Sequence, residues 1–203
     1  MDVEQREPRR RLTAQLRELR FDAGTLCLDL VATVGRRPEV PVERMGDAAR
    51  LRAWCRGVGV TLEDGYDPQG VLESLHELRA AAHDIATAAL DAHRPRQESV
   101  DLVNLLAGAE PPAPRLESTA EGGWVPKGSR PLTEEALLSL VARDLIDLVT
   151  DEARRSRLTA CASEVCRMLC LDPGGGRPRK WCSMRRCGNQ AKAAGRRLRA
   201  TAP

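Results

Sequence analysis

The chain has 203 residues, 42% hydrophobic and 30% charged, which excludes both a large multidomain enzyme and a wholly disordered segment. Five residues are aromatic (Phe21, Trp54, Tyr66, Trp124 and Trp181), so the core must be built from Leu, Val and Ala, which favours packed helices over a β-sandwich. The net charge of +3 hides an asymmetry: residues 151–203 carry thirteen basic and four acidic side chains, whereas residues 1–150 carry nineteen and twenty-five. After Asp172 no acidic residue follows, and such a basic block either addresses a polyanion or is a solubilising tail.

Residues 1–20 are strongly charged, with Leu12, Leu16 and Leu19 as one weak apolar face. Leu26, Leu30 or Val31, and Val34 then fit the stripe of a first core helix ending before Gly35 and Pro38. Asp47 is placed to cap a short helix through Leu51, Trp54 and Cys55, closed by Gly57 and Gly59. Tyr66 to Gly70 read as a turn, and Val71, Leu75, Leu78, Ala82, Ile85 and Ala89 lie along one face of the central helix. His93 to Pro95 stop it, and Ser99 reads as the cap of a shorter helix ending at Gly108. Beyond the proline-rich stretch Pro111 to Pro114, Leu116 to Thr119 and Trp124 to Val125 flank Gly122-Gly123 as a hairpin. Thr133, Glu134 and Glu135 begin a last helix with Leu137, Val141, Leu145 and Leu148 on its face.

No apolar run approaches the roughly 18 to 20 residues that span a bilayer, and Met1 to Arg20 lacks the apolar stretch of a signal peptide. The expectation is a cytoplasmic protein, with no membrane partner, whose seven cysteines are reduced rather than paired in disulfides. Four of them show matched spacing, Cys161-x4-Cys166-x15-Cys182-x4-Cys187, around the chain-reversing Pro173-Gly174-Gly175-Gly176. Two such pairs can surround one Zn²⁺ with a tetrahedron of thiolates, although the x4 spacing by itself leaves ordinary buried thiols as the alternative. Cys27, Cys55 and Cys170 read as small buried hydrophobes, and His76 and His83 as residues of a solvated helix flank, too far apart for an i, i+4 metal pair.

The segment Lys180-Trp181-Cys182-Ser183-Met184-Arg185-Arg186-Cys187-Gly188-Asn189 resembles the signature of the CGNR zinc-finger family, with Cys161 to Cys166 fitting its first ligand pair. Phe21-Asp22-Ala23-Gly24-Thr25-Leu26-Cys27-Leu28-Asp29-Leu30-Val31-Ala32-Thr33-Val34 resembles the opening of the ABATE domain, which accompanies that finger in stress-response transcription regulators of bacteria. Two positions depart from the family pattern: Gln190 stands where the motif has Arg, and Ala32 where the ABATE opening has Asn. The resemblance implies an α+β, mainly helical chain: a helical domain with a small sheet, followed by a treble-clef-like finger proposed to bind DNA. It divides the chain into a charged extension (1–20), an ABATE-like regulatory domain (21–150) and the finger with its basic helix (151–203).

Four thiolates leave no open coordination position to activate water, so the expected cofactor is one structural Zn²⁺, and the chain carries no GxSxG, P-loop or dinucleotide fingerprint. The expectation is therefore not an enzyme. With Cys182 and Cys187 tied to the metal, the following residues can run as a helix presenting Lys192, Arg196 and Arg199 on one face, joined by Arg185, Arg186, Asn189 and Arg197 as a surface for DNA. Gly195 counts against that helix, and a solvated basic tail is the alternative. The leading expectation is a DNA-binding transcription regulator whose N-terminal domain senses a small-molecule effector or forms a homodimer, with Asp29 and Thr33 as candidate ligand-binding residues. The alternative is a zinc-stabilised adaptor that binds RNA or a protein of the transcription machinery.

Overall fold

The computed structural model describes residues 14–111, 113, 116–126 and 131–200. Seven helices are assigned among them: α1 (Leu26–Val31), α2 (Ala48–Gly57), α3 (Pro68–Asp91), α4 (Gln97–Ala107), α5 (Glu134–Thr150), α6 (Glu152–Arg155) and α7 (Asn189–Ala200). Three antiparallel strand pairs accompany them: β1 (Val34–Gly35) with β2 (Val42–Glu43), β3 (Leu116–Ser118) with β4 (Trp124–Pro126), and β5 (Leu158–Ala160) with β6 (Leu169–Leu171). The architecture is the α+β, mainly helical one, with the cysteine-rich segment at its C-terminal end.

Local chemistry starts most helices where polar side chains can satisfy free backbone donors. Thr25, Asp47, Asp67 and Thr133 accept from backbone N–H groups in the first turns of α1, α2, α3 and α5, and Pro68 occupies the first position of α3. The long α3 packs against α1, α2, α4 and α5, burying Val71, Leu75, Leu78, Ala82 and Ala86 against Leu137, Val141, Leu145 and Leu148. Hairpin β5–β6 belongs to the same core: Leu158, Leu169, Cys170 and Leu171 are buried in it, and Leu171 N–H donates to the Ala23 carbonyl at 2.7 Å. At Gly24, φ is +104° and an added Cβ would lie 3.0 Å from Leu171 Cβ, so the ABATE-like opening lies directly on β6.

Several local expectations are corrected. Val34 leaves the α1 stripe and begins β1, because the helix ends at Ala32 and the Thr33 hydroxyl donates back to the Leu30 carbonyl. The span 66–70 contains the start of α3, and α4 begins after Arg96 rather than at Ser99, which is buried within its first turn. His76 and His83 are half-buried, not solvated: a His76 ring nitrogen lies 2.8 Å from the Met45 carbonyl, and burial pushes His83 down to about 4, with Arg37 adding to the effect. Hairpin β3–β4 pairs Leu116 with Pro126 and Ser118 with Trp124, as the glycine turn predicts.

Candidate metal centre and the basic surface around it

Two turns bring the four cysteines together. Cys161 follows β5, and its N–H donates to the Met168 carbonyl at 2.9 Å. The Cys166 and Arg167 amides turn back onto the Ser163 carbonyl, with Arg167 in the left-handed region at φ 47°. Ala162 N–H donates to the Lys180 carbonyl at 2.9 Å, which draws the second pair over the first. Ser183 then caps a short π-helical turn (Met184–Gly188) by accepting from Arg186 N–H, and α7 follows directly. A Cβ at Gly188 would meet Met184 Sδ at 2.6 Å, so a side chain there would displace the exposed Met184 side chain.

The sulfur atoms of Cys161, Cys166, Cys182 and Cys187 all lie within 4.8 Å of one another. Cys166 Sγ is 3.7 Å and Cys187 Sγ 3.5 Å from Cys182 Sγ. Zn–S bonds of about 2.3 Å at tetrahedral angles require sulfurs about 3.8 Å apart, so this all-thiolate set fits one zinc. The four side chains would complete its coordination sphere, and the metal would supply cross-linking of the two turns, with no open position for water. Cys182 is held below the ordinary thiol range by its contacts with the Cys161, Cys166 and Cys187 sulfurs and by the nearby Arg20 guanidinium. Cys170 is different: burial pushes it up to about 11, as expected of an unreactive apolar-site thiol.

A second layer comes from outside the finger. Arg20 is buried, forms two 2.7 Å bonds to Asp22 through Nε and Nη2, and donates from Nη1 to Cys182 Sγ at 3.7 Å. Arg44, also buried, donates from Nε to the Leu16 carbonyl and from Nη1 to the Ala32 carbonyl. Burial and the neighbouring Arg186 and Arg20 push it down to about 10, opposed by Cys166 and Cys182. Arg179 connects the two parts through its guanidinium, which bonds the Leu171, Asp22, Trp181 and Cys182 carbonyls. None of these contacts was visible in the sequence, where the arginines belong to no spacing pattern.

The basic residues singled out by sequence separate into two groups. Arg185, Lys192 and Arg196 are exposed, and Lys192 and Arg196 stand one turn apart on α7, which continues through Gly195. Asn189 is exposed at the start of that helix, and Arg197 is exposed beside a cavity. Arg199 lies on α7, but its side chain falls outside the described residues. Arg186 is held inward, bonding Glu18 Oε2 at 2.7 Å with its side chain 13% exposed.

The two effector candidates do not share a pocket. Asp29 lines a cavity of about 330 Å³ with Phe21, Thr25 and Val58, accepts from Ala23 N–H at 2.9 Å, and is pushed up to about 6 by burial. Thr33 is fully buried, and its hydroxyl donates to the Leu30 carbonyl and accepts from Arg79 Nη1.

The ABATE family model, whose description reads "Putative stress-induced transcription regulator", matches residues 24–152, and the CGNR zinc-finger model matches residues 157–200. No curated protein gives a significant match to the chain. The first match spans more than half of the chain, and the second covers the four gathered cysteines, so the chain belongs to the ABATE family and carries a C-terminal CGNR zinc finger with one structural zinc site.

Proposed function

We propose that the protein is a DNA-binding transcription regulator of the cytoplasm and not an enzyme, with residues 151–203 contacting DNA and residues 21–150 sensing an effector or dimerising. The observation that carries this reading is the exposed cationic face built directly on the metal turn: Arg185 within it, then Lys192 and Arg196 on α7. A closed tetrathiolate fixes the start of α7, so these charges are presented on a pre-organised helix rather than a loose tail. Phosphate contacts from such a face supply affinity, and any arginine that reaches a base edge adds selectivity. Glu18 and Arg20, just before Phe21, serve the finger too, since they bond Arg186 and Cys182.

Nucleic acid crosslinked to the protein in cells and sequenced tests this reading. Enrichment of discrete DNA sites supports it; enrichment of RNA with no DNA sites replaces it with the adaptor reading.

A further inference from the structure

We propose that the cavity between the ABATE-like opening segment and the end of α2 is a binding site for a small organic cation, an ammonium group carried on a short apolar body. It encloses about 330 Å³, at the small end of the range for small-molecule sites. Phe21, Gly24, Thr25, Leu26 and Val58 line it, with Val58 at the C-terminal cap of α2. Asp29 completes the lining and is its one charged residue among the described residues.

Among the described residues the Asp29 carboxylate receives one hydrogen bond, from Ala23 N–H to Oδ1, and pairs with no arginine or lysine. A half-buried carboxylate without a counter-cation is costly to ionise: burial holds it up to about 6, with Asp22 and Asp144 adding to the rise and Ala23 N–H and Arg20 opposing it. An ammonium seated beside it supplies the missing charge together with its donors. A neutral apolar guest would desolvate the carboxylate without compensation, and an anion would add repulsion. A calcium or magnesium ion asks for several oxygen ligands, which one carboxylate in an apolar lining does not offer. The Phe21 ring is the second element. It is 42% exposed, yet it fills the space that a side chain at Gly57 would take, so α2 seats an aromatic ring at the cavity. An ammonium gains from the face of such a ring, and Leu26 and Val58 offer contact to its apolar body.

The segment that lines the cavity also bonds the finger. The Ala23 carbonyl accepts from Leu171 N–H on β6, and the Asp22 carbonyl accepts at 3.0 Å from Arg179 Nη2, which also bonds the Cys182 carbonyl. A cation held by Asp29 and Phe21 therefore acts on the stretch of chain that joins the body to the metal centre. Its role as an effector rests on the regulator reading above, whereas cation binding itself does not.

NMR titration of the zinc-loaded full chain with n-butylammonium at pH 8, where Asp29 is ionised, tests the site, with n-butanol as the neutral comparison and butyrate as the anionic one. The expected result is one saturable n-butylammonium per chain, with amide shifts centred on residues 21–29 and 57–58 and affinity at least about tenfold above that of n-butanol. Asp29→Asn, which keeps an acceptor for Ala23 N–H, weakens binding at least about tenfold, and Phe21→Leu at least about threefold. Phe21 is exposed, so its substitution keeps the test valid if Asp29→Asn fails to fold. Glu77→Gln, at an exposed position of α3 outside the lining, leaves binding within about twofold. Absence of saturable binding, equal binding of n-butanol, tighter binding of butyrate, or undiminished binding by Asp29→Asn overturns the proposal. Equal losses from Glu77→Gln and Asp29→Asn also overturn it, because the attraction is then that of the acidic surface at large. Saturable binding that leaves DNA affinity unchanged keeps the cation site and removes its effector role.

Discussion

Arg20 and Cys182, 162 residues apart in sequence, meet in one buried contact: Nη1 lies 3.7 Å from the thiol sulfur and Nη2 3.4 Å from the Cys182 carbonyl oxygen. A zinc tetrathiolate carries two negative charges, and a guanidinium fixed beside one sulfur lowers the cost of burying them. Asp22 holds that guanidinium in place from the other side.

Replacing Arg20 with Met keeps much of the apolar stem and removes the charge. Zinc affinity is expected to fall by about 10- to 100-fold, the usual cost of losing an outer-shell partner. Competition with a chromophoric chelator measures it, and unchanged zinc retention contradicts the assigned role.

Zinc removal should not melt the chain uniformly. Leu158, Leu169 and Leu171 are buried in the main core, whereas Cys182 and Cys187 lie in a separate small cluster around the metal. Hydrogen exchange after chelation is expected to show lost protection over 180–200, with hairpin β5–β6 staying as protected as α5. Simultaneous exposure of 158–171 counts against the shared core.

Asp29 gives a pH signature of defined sign. Burial raises its folded pKa to about 6, with Asp22 and Asp144 adding to the rise and Ala23 N–H and Arg20 opposing it. The folded state thus binds its proton more tightly than the unfolded state, so stability falls as pH rises from the unfolded value of about 3.9 through the folded one. Asp29→Asn keeps an oxygen acceptor for Ala23 N–H and should stabilise the chain by about 1 kcal/mol at pH 7, discounted for partial exposure, and by progressively less down to pH 4. Thermal melts of both forms across that range check the converging curves; a constant difference argues against titration of Asp29.

Arg79 donates twice to Glu43, at 2.9 and 2.7 Å, and once to the Thr33 hydroxyl. The pair is asymmetric, because Arg79 is 9% exposed at its side chain and Glu43 39%. Glu43→Ala leaves a buried unpaired cation and is expected to cost about 3 kcal/mol, more than Arg79→Met, which leaves a carboxylate able to rehydrate. Urea denaturation gives the order, and the reverse order contradicts the argument.

Legibility followed the range of the interaction. The cysteine set, the central α3 stripe and the Gly122-Gly123 hairpin were readable because each is a spacing, and spacing survives in one dimension. The α4 start was missed because Ser99 resembles a cap, although its place inside the first turn is set by Arg96, whose N–H bonds Asp84 on α3. Thr33 looked available on a helix face until Arg79, 46 residues later, was packed onto it. Arg20, Arg44 and Arg179 carry no spacing signal, since their partners are carbonyls and sulfurs brought close only by folding.

The central claim, that the zinc-organised basic face binds DNA, is tested most directly by the salt dependence of duplex binding. The zinc-loaded chain is compared with a variant carrying Arg185→Ala, Lys192→Ala and Arg196→Ala. Each lost phosphate contact removes about 0.9 from the slope of log affinity against log salt, so the triple change is expected to flatten it by about 3 without releasing zinc. Identical slopes for the two proteins, with zinc retained in both, would contradict the account and leave the basic segment as a solubilising face.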